Sequence, residues 1–350
     1  MDPAKKLAIN LVTWNSRAYL GGFLASLTQQ DSQNFSLTVI DNASDDGTVS
    51  WLQERHPYVA VLRNFRNQGF ARAHNQAIEL ALSRWQGEDL KTRYIMVANP
   101  DLEFAPSALR VIIAFMDANP EIAACGPKLL RIFLRPDSHN EEYETTRSNI
   151  IDSTGLTINK MRRVYDRGAG EVDEGQYNET EPVFGISGAC TIFRASNLLE
   201  AKLGNEFYDE DFFAYKEDVD MAWRIQRLGF NTFYVPQAIV WHHRRAPSDP
   251  GASWFKAWRE RRNKSPLVNY LSSRNHSWVA IKNDEILNSI LHLPWWASYE
   301  IMKTFANLFS PSSLKGQFVS LVGVPKMIKK RSELNRRVKR QGRNIRRWFI

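Results

Sequence analysis

Six carboxylates, Asp209, Glu210, Asp211, Glu217, Asp218 and Asp220, fall within twelve residues and are interleaved with Phe212, Phe213 and Tyr215. A carboxylate beside aromatic surface loses solvation, and its pKa moves toward neutrality, which suits it to act as a general base toward a sugar hydroxyl. Enrichment of acids at a helix N-terminus explains Glu217, Asp218 and Asp220 in part, but not Asp209 to Asp211. Asp41 ends the apolar run 37–41, where a carboxylate can accept a hydrogen bond from a nucleotide base or a ribose hydroxyl. Asp101 closes Asn99-Pro100-Asp101, just after another run, and suits Mg²⁺ or Mn²⁺, which often takes one or two carboxylates and completes its shell with phosphate oxygens. His242 and His243 follow a third run; either can ligate a metal or meet phosphate, and strand alternation lets at most one of them face a given site. Arg274, followed by Asn275, offers a planar donor fork to a diphosphate. Each group also has a plainer reading, as turn former, helix cap or core histidine.

The elements that must position these residues alternate. Runs rich in β-branched and aromatic residues at 7–14, 37–41, 59–63 and 94–98 are separated by helical patterns around 17–29, 47–55, 70–85 and 106–118. Ser44 or Asp45 is expected to cap the second helix, and Pro106 to open the fourth. This is the pattern of a parallel sheet with crossover helices, in which ligands bind at the carboxyl ends of the strands. Residues 135–180 read as a loop-rich insertion or β-hairpin. Strand-like residues 183–194, a helix over 217–228 ended by Gly229, and strands near 231–235 and 238–241 follow.

At 350 residues, 43% hydrophobic and 24% charged, the chain is long enough for a large core and is neither fibrous nor low in aromatics. Cys125 and Cys190 make no disulfide framework and no zinc motif, which favours a reducing compartment. The net charge of +8 is uneven: residues 253–350 carry an excess of about fifteen positive charges, whereas residues 1–252 carry an excess of about seven negative ones. Lys329, Lys330, Arg331, Arg336, Arg337, Lys339, Arg340, Arg343, Arg346 and Arg347 cluster behind a helical stripe of Trp295, Tyr299, Met302, Phe305 and Phe309. A bulky apolar stripe beside a polybasic segment is expected to lie on an anionic membrane surface. No stretch has the about 20 apolar residues of a spanning helix, and no nucleic-acid recognition motif is present. The expected division is therefore a body over 1–250 and a basic, amphipathic helical extension over 251–350.

Six segments, taken in order, resemble the family 2 glycosyltransferases of GT-A fold, especially their bacterial rhamnosyltransferase-like branch. They are Leu-Val-Thr-Trp-Asn-Ser at 11–16, Val-Ile-Asp-Asn-Ala-Ser at 39–44, Asn-Gln-Gly-Phe-Ala at 67–71, Asn-Pro-Asp at 99–101, Ser-Gly-Ala at 187–189 and Phe-Phe-Ala-Tyr-Lys-Glu-Asp-Val-Asp at 212–220. The resemblance covers about residues 7 to 245 and implies an α/β fold, mostly parallel at its centre and flanked by helices. It also implies that Thr13, Asn15 and Asp41 hold a nucleotide, with Asn67 and Gly69 in a turn against ribose or diphosphate. Asp101 matches the last Asp of the family's metal-binding D-x-D, Asn99 stands where the first Asp would be, and His242 or His243 completes the site. Asp218 matches the catalytic base, and Asn99, Gly188 and Glu217 are expected in the acceptor or donor-sugar pocket.

The implied activity is inverting transfer of a sugar, L-rhamnose from dTDP-rhamnose being the first expectation and a UDP-sugar the alternative. The implied acceptor is a lipid-linked or polysaccharide glycan, reached from the cytoplasmic face of the cell membrane, with Mg²⁺ or Mn²⁺ as cofactor. A homo-oligomer is left open. The rival from another class is a nucleotide-binding protein without transferase activity, its basic tail recruiting a partner. A Rossmann dehydrogenase is disfavoured because the first βα turn, Trp14-Asn15-Ser16-Arg17, lacks the Gly-x-Gly-x-x-Gly fingerprint.

Overall fold

The computed structural model describes residues 5–136, 143–243, 264–338 and 345–350. Strand β1 (Leu7–Thr13) lies between β2 (Phe35–Asp41) and β4 (Tyr94–Ala98), parallel to both, and β3 (Ala60–Arg63) extends the parallel block at its edge. The strands at the centre are covered on both faces, which is why β4 reads as an unbroken apolar run and β1 as one interrupted by Asn10, rather than as alternating ones. Helix α1 (Arg17–Thr28) buries Leu20, Phe23, Leu24 and Leu27 in the main core, each contributing roughly 1.5–3 kcal/mol of transfer free energy. Helices α2 (Thr48–Arg55), α3 (Gly69–Arg84) and α4 (Ala108–Ala118) follow β2, β3 and the short strand β5 (Leu102–Phe104). Helix α2 is capped by neither Ser44 nor Asp45. Ser44 serves Asp41 instead, and Asp46 accepts from the Thr48 backbone N–H at 3.0 Å.

Beyond β4 the sheet becomes mixed. Strand β11 (Cys190–Arg194) runs antiparallel to β4 and to β6 (Ile122–Pro136), while β12 (Asn231–His242) runs parallel to β6 and antiparallel to β5. The two strands expected near 231–241 are this single β12, bent by a register shift between Val235 and Ile239. Residues 135–180 hold β7 (Tyr143–Ser153), which makes a hairpin with β6, and a second hairpin of β8 (Leu156–Ile158) and β9 (Val164–Asp166). A two-residue strand, β10 (Glu181–Pro182), pairs with β12. After β11 come α5 (Ala195–Ala201) and α6 (Glu217–Arg227), and Gly229 follows α6 with φ +85° as its C-terminal stop.

The register gathers the chemistry at one end of the sheet. Thr13 is paired with Asp41, and Leu11 with Ala98, so the turns after β1, β2 and β4 emerge side by side. Cys190 is paired with Ala98 in the antiparallel sense, which places Gly188, just before β11, next to Asn99; the Asn99 N–H donates to the Ala189 carbonyl at 2.9 Å.

Among the described residues, five α-helices make the C-terminal part: α7 (Pro266–Asn283), α8 (Ile286–Leu291), α9 (Leu293–Asn307), α10 (Pro311–Val322) and α11 (Val324–Asn335). Trp278 and Val279 of α7 join Phe212, Val219 and Trp223 in one core cluster with Met327 of α11. The extension is thus packed into the body along the acidic segment and α6.

Candidate active site

The turn after β2 is built around Asp41. This carboxylate is fully buried and accepts from Thr13 Oγ1 at 2.9 Å, Ser44 Oγ at 2.5 Å and the Ser44 backbone N–H at 3.0 Å. Asp41 therefore holds the wall of the cleft through Thr13 and Ser44 rather than presenting a bare oxygen to it. Asn15, exposed and at φ +51°, ties the two turns together. Its N–H donates to Ser44 Oγ at 3.0 Å, and its Oδ1 accepts from the Asp45 N–H at 3.0 Å. Asn67 Oδ1 accepts from the Gly69 N–H at 2.8 Å, an Asx turn that starts α3, and Asn42 Nδ2 donates to the Gly69 carbonyl at 3.1 Å.

Asp101 and His242 come together beside these turns, with Asp101 Oδ1 3.3 Å from His242 Nε2. The other ring nitrogen of His242 lies 2.8 Å from Asp152 Oδ2. Burial alone would lower the His242 pKa, but the two carboxylates outweigh it and raise it to about 10, so a cation taken at Nε2 would have to displace the proton there. Asp101 Oδ1 is buried and has no well-aligned hydrogen-bond donor. A hard oxygen in that condition next to an imidazole fits a divalent cation, with Asp152 as the outer-shell partner that orients the histidine. Among the described residues no group of three or more such ligands converges, so Asp101 and His242 would be its two protein ligands. His243 faces elsewhere, as alternation along the strand requires. Its Nε2 lies 3.5 Å from Glu103 Oε1, and its ring is 5.4 Å from that of Tyr19.

Glu217 and Asp218 open α6 beside Gly188. The Gly188 N–H donates to Asp218 Oδ2 at 3.2 Å, and a Cβ at Gly188 would stand 3.0 Å from that of Asp218, so the small residue there permits the approach. Burial raises the Asp218 pKa above the usual carboxylate range despite the nearby Lys216 ammonium. Burial, with the adjacent Asp218 charge, pushes Glu217 up to about 8, and Glu217 Oε2 is buried without a hydrogen-bond partner. The site thus gathers the Asp101–His242 pair and the turns after β1, β2 and β3 at one end of the sheet, with Asp218, its pKa raised by burial, bonded to Gly188 next to Asn99.

This arrangement lies in a segment that other proteins share: residues 9–198, more than half of the chain, match the model of glycosyl transferase family 2. The chain belongs to that family. It is 29% identical over 285 residues to the N-acetylglucosaminyl-diphospho-decaprenol L-rhamnosyltransferase of Mycobacterium tuberculosis, an alignment covering 78% of this chain and 86% of the relative. Among solved structures it resembles GalNAc-T7 in complex with UDP, GalNAc and Mn²⁺ (TM-score 0.57, 15% identity, 94% of this chain), although it spans only 55% of that protein's length. It also resembles residues 1–349 of Staphylococcus aureus TarS (TM-score 0.50, 14% identity, 95% of this chain and 83% of the other). At these identities the structural likeness shows the GT-A fold.

Three sequence expectations change once this glycosyltransferase is seen folded. Within the carboxylate cluster Glu217 and Asp218 are raised. Asp209 and Asp220 are held below the usual range, because Lys282 Nζ lies 2.7 Å from Asp209 and 2.9 Å from Asp220, with Lys330 beside Asp209 and Arg224 beside Asp220. The Arg274 fork is already engaged: Nη2 donates to the Asp211 and Phe212 carbonyls at 2.8 and 3.0 Å, and the guanidinium lies over Trp278. The basic tail is partly turned inward. Lys330 pairs with Glu206, Asp209 and Asp211, Arg331 donates to the Ile281 carbonyl, Arg337 to the Lys202 and Glu200 carbonyls, and Arg346 to Asn288 Oδ1. Lys339, Arg340 and Arg343 lie outside the described residues. Sequence reading also missed Asp152, which sits in the irregular stretch with no spacing that ties it to His242.

Proposed function

We propose that this family 2 glycosyltransferase moves a sugar from a nucleoside diphosphate donor, L-rhamnose from dTDP-rhamnose, to a lipid-linked glycan acceptor with inversion, and that Asp218 is the base. The observation that carries the reading is the Asp218 carboxylate at the head of α6, fixed by the Gly188 N–H and raised by burial, on a loop whose Phe213 carbonyl accepts from the Ala71 N–H beside the Asn67–Gly69 turn. The M. tuberculosis relative, named for rhamnosyl transfer to an N-acetylglucosaminyl-diphospho-lipid, supports the donor and acceptor classes.

In the reaction Asp218 accepts the proton of the acceptor hydroxyl as its oxygen bonds to the anomeric carbon. The bond from that carbon to the phosphate oxygen breaks on the opposite face, and the nucleoside diphosphate leaves. The shell around Asp41, with Asn15 and the Asn67–Gly69 turn, orients the nucleotide. Asn99, Gly188 and Glu217 border the space between donor and base, and a neutral Glu217 can donate a hydrogen bond to a sugar oxygen there. A divalent cation, Mg²⁺ or Mn²⁺, held by Asp101 and His242 would supply charge compensation to the diphosphate.

The acceptor class places the work at a membrane surface. No helix of the described residues is long and apolar enough to cross a bilayer. Helices α8 to α10, with the turn between α9 and α10, nevertheless leave Ile290, Phe305, Phe309, Phe318, Leu321 and Val322 more than half exposed, apolar surface that suits the lipid interface on the cytoplasmic side.

Nucleotide release from dTDP-, UDP- and GDP-sugars, with Mg²⁺ or Mn²⁺ and a synthetic lipid-diphosphate sugar acceptor, tests the reading in wild type and Asp218→Asn. Release from one donor, lost in the variant, is expected. Release that survives the substitution moves the base elsewhere, and nucleotide binding without release from any donor supports the non-catalytic rival.

A further inference from the structure

The loop that delivers Asp218 has an uncommon backbone. Phe213, Tyr215 and Lys216 stand at φ +65°, +69° and +73°, so three of four successive residues before α6 are left-handed and none is glycine. Side chains with a Cβ rarely adopt this conformation, and it persists only where the surroundings over-determine it. What surrounds it is α7. Asn275, fully buried, points its amide nitrogen at three carbonyls of the loop: Phe212 and Ala214 at 2.9 Å and Tyr215 at 2.7 Å. Two protons are thereby shared among three acceptors. The orientation of the amide is set in turn by Arg274, whose Nε donates to Asn275 Oδ1 at 2.9 Å. Two turns further along α7, Lys282 bridges Asp209 and Asp220, on either side of the same loop, and Asn283 Nδ2 donates to Asp220 at 2.7 Å.

We infer that Asn275 is a positioning residue for Asp218. By collecting the carbonyls of residues 212, 214 and 215 it fixes the direction in which the chain enters α6, and so the aim of the carboxylate one residue inside it. Helix α7 of the C-terminal extension is then part of the active site's construction as well as a support for the apolar face. Asn275 bonds to none of the nucleotide-side turns, and the loop it holds meets them through the Phe213 carbonyl, which is not one of its three acceptors, so its loss acts more on the chemical step than on donor binding. The inference rests on the reading of Asp218 as base.

The test uses the full chain with Asn275→Ala and Asn275→Asp; the second keeps the acceptor for Arg274, removes the donors, and serves where the first does not fold. Three quantities are read: dTDP and UDP binding by calorimetry, hydrogen exchange of the 209–217 peptide, and steady-state transfer. The inference expects binding stoichiometry and affinity within about twofold of wild type, loop exchange at least about tenfold faster, and kcat at least about tenfold lower with donor KM little changed. Adding Tyr215→Gly to Asn275→Ala should recover part of kcat, because glycine holds a left-handed φ without help. Wild-type kcat and wild-type exchange in folded variants overturn the inference, as does activity that falls only in step with the nucleotide-binding fraction. A wild-type chain that transfers from no donor overturns the transferase reading instead, and the exchange measurement then still decides whether Asn275 holds the loop.

Discussion

A Cβ added to Gly69 would stand 2.4 Å from the carbonyl oxygen of Phe213. The turn expected against the nucleotide and the loop that carries Asp218 are therefore in contact, and the Ala71 N–H donates to that same carbonyl at 3.2 Å. Gly69 also sits at φ +80°, where alanine is strained whatever the space. Gly69→Ala should cost about 2 kcal/mol or more, because the obstruction is backbone that cannot swing aside. Chemical denaturation gives the stability, and calorimetry with a nucleoside diphosphate should show weakened binding in the fraction that folds. A variant as stable as wild type would mean that the two segments separate easily.

Asp218→Asn removes the proton acceptor and keeps the shape. Turnover should fall by roughly 10²–10⁴, the usual worth of a positioned base, while nucleotide affinity stays within a few-fold. In the wild type, kcat should rise with pH through a limb above the ordinary carboxylate range, since the raised Asp218 must be ionised to act. A limb near the ordinary Asp value, or none, would show that another group takes the proton.

Glu217 provides a pH signature in stability. In the unfolded chain it ionises near its ordinary 4.5, whereas the folded protein keeps it protonated up to about 8. Between those values the folded state binds more protons than the unfolded state. The stability conferred by the neutral carboxyl is thus full at low pH and is lost as pH rises through the window. Glu217→Gln is neutral throughout, so its stability relative to wild type should grow from pH 5 to pH 8 by an amount on the order of a few kcal/mol. Parallel melting temperatures across that range would refute the assignment.

Much of the site was legible because strand ends announce themselves. Asp41, Asp101 and His242 each follow an apolar run, and the parallel register of β1, β2 and β4 is what alternating strand and helix patterns imply, whereas the antiparallel pairing of β12 with β5 that brings His242 to Asp101 is not. The acidic segment was legible as a cluster but not as a division of labour. Nothing in the order of Asp209, Glu217, Asp218 and Asp220 tells which carboxylates meet Lys282, 62 or more positions away, and which remain raised. The same holds for Arg274, whose type suits a diphosphate but whose partners are set by how α7 packs. The basic tail misled for a related reason: charge counted along the chain does not register that Lys330 and Arg337 turn toward the body.

The pairing of Asp101 with His242 predicts a specific response to chelation. Stripping divalent ions should lower transfer, and Mn²⁺ or Mg²⁺ should restore it. Asp101→Ala should lose about tenfold or more of the cation-stimulated affinity for a nucleoside diphosphate. His243→Ala, which breaks a contact with Glu103 on the other side of β12, should leave that stimulation intact. Equal effects of the two substitutions would contradict the way the strand divides the histidines.

The exposed side chains of α8 to α10 and the inward-turned cations together decide what kind of membrane contact is expected. With Lys330, Arg331, Arg337 and Arg346 already engaged with the body or with the other C-terminal helices, apolar burial carries more of the attachment than charge does. Each phenylalanine moved into the lipid boundary contributes roughly 1.5–3 kcal/mol, so Phe305→Asp with Phe318→Asp should weaken binding to anionic vesicles well over tenfold. Raising the salt from 0.05 to 0.5 M should weaken wild-type binding by less than the double substitution does, because salt screens only the charge term. Co-sedimentation at both salt concentrations measures the two effects side by side. Binding that vanishes with salt yet survives the double substitution would shift the attachment to the exposed Lys329 and Arg336.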